Sequence, residues 1–177
     1  MTSDLERLIE AGGLVPGAEA FDWGLAERTL EMQIPADYRR LVDAGGAGLW
    51  FDYLRTYAPT GRYPARNLLE SGGEFEDLRF LWSEDISQPP SDMADDVRLI
   101  PWASTGNGEK LYWRVQDETP ADAYPVYIED ADGDRWERFD LTATEFLLGI
   151  ARGDVRSSFF SEFFLRTDDV FRPYGEQ

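Results

Sequence analysis

The stretch between residues 97 and 139 constrains this chain most. Four short segments, 97–103, 110–116, 124–129 and 135–139, are rich in aromatic and β-branched residues, and turn signals separate them. Leu111, Trp113 and Val115 alternate with Tyr112 and Arg114, the period of two that a half-buried strand needs. Gly106-Asn107-Gly108 supplies a turn between the first two segments, and Asp132-Gly133 a hairpin turn between the last two. The pattern predicts an antiparallel meander.

Helical signals flank this region. Ser3-x-x-Glu6 has the form of a capping box, with Leu5, Leu8 and Ile9 at helical spacing and Gly12-Gly13 as a stop. Asp22 is an N-cap candidate for a second helix carrying Trp23, Ala26 and Leu30 on one face. Pro35 suits the first position of a third helix, with Tyr38, Leu41 and Val42 as its apolar stripe and Gly45-Gly46 as its end. Residues 48–58 read as one aromatic strand, 65–82 as a helix weakened at Gly72-Gly73, and 83–96 as an exposed acidic loop around Pro89-Pro90. Thr142-x-x-Glu145 is a second capping box, opening a helix with Phe146, Leu147 and Ile150 on one face. The last segment, 157–174, carries five Phe and is expected to pack back on the body. Helices segregated from an antiparallel sheet predict an α+β fold with helices packed around the sheet. One domain over 1–177 suits 177 residues, with a core about 20–153 and 154–177 as a tail upon it.

Composition removes several kinds of chemistry. There is no Cys and no His, so disulfides, thiolate or imidazole metal ligands, Cys nucleophiles and His-based triads are excluded. Asp130-x-Asp132-x-Asp134 resembles the first half of a calcium loop, but Arg135 and Leu141 stand where such a loop wants Gly and Glu, so it reads as a solvated turn. Gly106-Asn107-Gly108 lacks the lysine and following helix of a phosphate loop. A catalytic carboxylate pair cannot be picked from 35 acids, and the commonest general base is missing. No catalytic residue, metal ligand or cofactor is therefore nominated. The chain opens without a basic, then apolar, leader, and the apolar stretch 146–151 is far short of the about 18 residues of a membrane span. A soluble, cytoplasmic protein without a membrane partner is expected.

Charge points to a partner. Seventeen basic residues against 35 acidic ones give a net charge of −18, which repels nucleic acid and favours a cationic protein. Residues 70–96 hold nine acids against Arg79, and residues 117–134 hold seven acids and no base. Of the six Trp, Trp23 and Trp113 fall on predicted apolar faces, while Trp82 borders the acidic loop. The candidate partner-binding residues are Trp82, Glu84, Asp85, Asp92, Asp95, Asp96, Asp117 and Glu118, with 83–96 preferred because a long loop can adapt.

Trp23-x-x-x-Glu27, Ile34-Pro35-x-Asp37-Tyr38-Arg39-x-Leu41 and Gly45-Gly46-x-Gly48 together resemble the amino-terminal motif of the SUKH superfamily. Pro101-Trp102-x-Ser104-Thr105-x-Asn107-Gly108, followed by Leu111-Tyr112-Trp113, is similar to its central strand pair, and Thr142-x-x-Glu145-Phe146-Leu147 to its final helix. The resemblance implies an α+β domain with a sheet cradled by helices and no catalytic motif. It implies an immunity protein that binds and blocks a polymorphic toxin, such as a basic nuclease domain, or else a regulator of the fungal cell-wall synthesis type. The recurrent residues Trp23, Pro35, Tyr38, Gly46, Trp102, Asn107 and Gly108 look like scaffold positions.

Overall fold

The structure, a computed structural model, describes residues 1–174. Within them lie α1 (Asp4–Ala11), α2 (Trp23–Leu30), α3 (Ala36–Gly45), β1 (Gly48–Trp50), β2 (Leu54–Thr56) and α4 (Ser71–Ser83). Then follow β3 (Val97–Thr105), β4 (Lys110–Gln116), β5 (Val126–Glu129), β6 (Trp136–Phe139), α5 (Ala143–Arg152) and β7 (Phe171–Pro173). The strands form one antiparallel sheet in the order β6-β5-β4-β3-β2-β1-β7, with the five helices packed around it. The architecture is α+β, as the order of elements predicts.

The local signals act where they stand. Both capping boxes close: Ser3 Oγ accepts from the Glu6 N–H while Glu6 accepts from the Ser3 N–H, and Thr142 and Glu145 repeat the exchange. Asp22 Oδ1 accepts from the Leu25 N–H at the start of α2. Pro35 sits one residue outside the predicted position, at the N-cap of α3. Gly72 and Gly73 do not break α4; they lie in its first turn, where few intrahelical bonds depend on them. The same segment begins with two 3-10 turns, Pro64–Arg66 and Leu68–Glu70, rather than with helix from 65.

The region read as one strand over 48–58 is a tight hairpin of β1 and β2. Phe51 and Asp52 both have positive φ, 57° and 53°, and the Tyr53 N–H closes the turn onto Trp50 O at 2.9 Å. Such turns favour Asn-Gly, so Phe-Asp hides it in the sequence. The carboxy-terminal segment holds the backbone there: Phe51 N–H donates to Val170 O, and Phe51 O accepts from Arg166 N–H.

Register fixes two dissimilar faces. One cross-strand row runs through every strand: Trp136, Glu129, Lys110, Ser104, Arg55, Leu49 and Arg172. A second polar row follows it, Pro101, Tyr112, Tyr127 and Arg138. The opposite face carries Leu111, Trp113, Val126 and Ile128, and α3 and α5 pack there through Tyr38 and Phe146. A bulge between Pro101 and Ala103 brings Trp102 onto Trp113, with ring centroids 6.1 Å apart. Tyr38 stands edge-on to both, and its hydroxyl donates to Tyr57 O at 2.6 Å. Trp113 is fully buried as expected. Trp23 is not: it lies half-buried at the margin, donating its indole N–H to Asp43 at 2.8 Å.

The turn motif after β3 closes a polar knot. Glu109 is buried, yet Tyr53 Oη donates to its Oε1 at 2.9 Å and Thr105 Oγ1 donates to its Oε2. Tyr53 Oη also accepts from Asn107 Nδ2 and from the Ser161 N–H. The knot joins the β1–β2 hairpin, the β3–β4 turn and the tail. Phe160 is buried beside it, while Phe163 and Phe164 of the same tail are exposed.

Candidate functional site

The acidic segment after α4 is a strap laid across the polar face of the sheet. It begins at a defined helix stop: the Asp85 N–H donates to Trp82 O and the Ile86 N–H to Leu81 O, with Asp85 at φ 54°. This is a Schellman ending, whose left-handed position is normally glycine. The strap then crosses the outer strands. Gln88 N–H donates to Gly133 O at 2.9 Å, and Trp136 Nε1 donates to Gln88 O at 2.8 Å. Further on, Arg114 Nη2 donates to Asp92 O at 3.0 Å, and Gln116 Nε2 donates to the Asp96 carboxylate. Ser87 and Pro90 are buried beneath. The segment expected to be an adaptable loop is thus pinned at both ends and in the middle.

These pins divide the candidate acids by use. The Asp92 carboxylate lies 3.3 Å from Arg138 Nη1 and 3.5 Å from Arg114 Nε, and accepts from the Tyr127 hydroxyl. Burial, then the bond to Asp92 and its charge, pushes the Tyr127 hydroxyl up to about 12. Asp92 therefore serves the fold. Glu84, Asp85, Asp95, Asp117 and Glu118 are exposed, and none of them has an ion-pair partner among the described residues. Asp96 is exposed too, and its bond to Gln116 brings the end of the strap beside Asp117 and Glu118. The two acidic segments of the sequence thus meet at one end of β3 and β4, where Val97 pairs with Gln116.

Trp82 is half-buried, edge-on to Phe75 and Trp136 at 6.2 and 6.4 Å. It lines a groove of about 520 Å³ between α4 and the strap, with Phe75, Met93 and Val97 as apolar walls and two acids, Glu76 and Asp95, balanced by Arg79 and Arg98. Two exposed apolar residues of the same segment stand outside the predicted site residues. Phe80, 61% exposed, is on the solvent face of α4, and Ile86, 63% exposed, follows the helix stop. Phe80 lies five residues past Phe75, about 140° round the helix, so the helical period could have found it.

Asp130 serves the fold. Asp130 accepts from the N–H groups of Asp134 and Arg135 and from Arg135 Nε. Burial opposes its charge, but these donors outweigh it and hold its carboxyl below the usual range. The turn read as solvated therefore has a buried first carboxylate, with Asp132 and Asp134 exposed. Among the described residues no group of three or more acidic side chains is placed to hold a metal ion, and no helix is long and apolar enough to cross a membrane. No protein-family model, curated protein or solved structure matches the chain.

Proposed function

We propose that this chain is a cytoplasmic protein-binding module of the SUKH type, an immunity protein that neutralises a basic toxin domain by direct contact. The observation that carries this reading is backbone strain at the acidic surface. Asp85 and Glu118 are both left-handed, at φ 54° and 69°. An L-residue with a side chain is disfavoured there, and glycine is the ordinary occupant. Both positions carry an exposed acid instead: Asp85 between the unpaired Glu84 and the exposed Ile86, and Glu118 next to the unpaired Asp117. Strained residues retained at a surface point to use by a partner. Unpaired acids together with exposed apolar side chains suit a cationic protein face, since charge speeds the encounter and buried apolar contacts slow release.

The test starts with co-purification at low and then moderate salt, followed by mass spectrometry and reconstitution of the recovered pair. A 1:1 complex with a basic toxin domain is expected, whose association rate falls at least about tenfold between 50 and 500 mM salt. Asp85→Asn with Glu118→Gln should lower that rate further at low salt. Recovery of envelope-synthesis or signalling proteins instead would favour the regulatory reading. A tight complex indifferent to salt and to both substitutions would remove the acidic surface from the account.

A further inference from the structure

The polar face changes sign toward β2. Arg55 stands in the row beside Ser104 and Lys110. The Lys110 ammonium is taken by Glu74 at 3.2 Å. Neither Arg55 nor Arg66 meets a carboxylate within 4.0 Å among the described residues, although both are half-buried in a chain of net charge −18. Most other cations here find acids: Arg7, Arg39, Arg79, Arg135, Arg138 and Arg172 are all paired.

Tyr174 joins them. Its backbone N–H donates to Ala47 O, one step along from the Gly48–Pro173 pair, which sets it on the face of Arg172 and Arg55. The Arg66 guanidinium lies over its ring, 4.5 Å from the centroid. Its hydroxyl oxygen is buried and has no hydrogen-bond partner. Burial pushes that hydroxyl up, while Arg66 and then Arg55 are the charges that pull it down. Arg55 lies against Gly106, where an added Cβ would stand 3.3 Å from Nη2.

Guanidinium groups only donate, and their planar forks match phosphate oxygens in bidentate fashion. Two half-buried like charges on one face, with an unused hydroxyl beside Arg66, have no counter-anion among the described residues. Glu74 also faces the site, but its charge is matched by Lys110. We propose that Arg55, Arg66 and the Tyr174 hydroxyl form a binding site for the phosphoryl dianion of a small phosphate monoester. The site is independent of the acidic strap, which lies across the other half of the sheet.

The full chain, labelled at arginine, is titrated by NMR with inorganic phosphate at fixed ionic strength, then with phenyl phosphate and with acetate. The Nε–H signals of Arg55 and Arg66 should shift saturably with phosphate, at a half-saturation of about 1 mM, and tighter with phenyl phosphate. Arg55→Gln and Arg66→Gln should each weaken binding about tenfold and Tyr174→Phe about threefold, with the circular dichroism spectrum unchanged. Arg55→Lys keeps the charge and should still lose most of the affinity. Shifts that never saturate, that acetate reproduces equally, or that survive in Arg55→Gln overturn the proposal. If a variant fails to fold, the wild-type titration against acetate decides alone.

Discussion

The two faces of the sheet hold the chain together by different means. On one, Trp102, Trp113, Val126 and Ile128 meet α3 and α5 in continuous apolar contact. On the other, Arg55, Lys110, Glu129, Tyr127 and Arg138 stand in rows under α4 and the strap, and each needs a particular partner. Apolar burial is additive and tolerant of detail, whereas polar pairing is all or nothing at each atom. The first face carries the stability of the fold. The second leaves side chains whose charge the fold does not consume, and both proposed sites lie there.

The largest effect should come from breaking the apolar face. Trp113→Ala removes the fully buried ring that stacks on Trp102 and meets Tyr38 edge-on. It should cost about 3–5 kcal/mol, read as a lower urea midpoint. An equal loss from any single change on the polar rows would dissolve the contrast. The nearest rival is Tyr53→Phe, which takes a donor from buried Glu109 and an acceptor from Asn107 and Ser161. About 1.5–3 kcal/mol is expected, with faster hydrogen exchange at Ser161 because that amide loses its partner.

Glu129 tests the polar face by pH. Burial raises its carboxyl above the ordinary 4.5, against the pull of Tyr112 and Lys110. A raised acid binds more protons folded than unfolded. Its stabilising share is therefore whole below about 4.5 and lost as pH rises through the folded value. Glu129→Gln should raise Tm at pH 7 relative to wild type, and the gap should close as pH falls toward 4.5. A gap that widens on acidification would reverse the assignment. Asp92→Asn should act more gently: the Tyr127 hydroxyl should fall from about 12 toward 10 in an ultraviolet titration, without reaching it because burial is the larger cause.

The same division explains what could be read in advance. Capping boxes at Ser3 and Thr142 and the alternation from Leu111 to Val115 are local, so the sequence displays them. The β1–β2 hairpin is hidden because its turn residues, Phe51 and Asp52, are held by Val170 and Arg166 from far along the chain. The acidic surface was legible as composition and as two segments. Which acids remain free was not, because Arg114, Arg138 and Gln116 claim Asp92 and Asp96 from 20 to 46 residues away. Arg55, Arg66 and Tyr174 gave no sequence signal at all, since only register and packing bring β2, a 3-10 turn and the tail together.

The smallest change sharpens the comparison most. Asp85 occupies the left-handed position of the α4 stop, so Asp85→Gly relieves that conformation and keeps both backbone bonds to Trp82 and Leu81. Glycine gains freedom in the unfolded chain, which offsets part of the relief, and a stabilisation of about 0.5–1 kcal/mol is expected by chemical denaturation. If the surface exists for a cationic partner, the same variant should associate more slowly at low salt and equally fast at high salt. Gain of stability with loss of association would show that the acid is kept for the partner and not for the helix. Lower stability in Asp85→Gly would place Asp85 with Asp92 among the acids that serve the fold, and would leave Glu118 alone to argue for the docking surface.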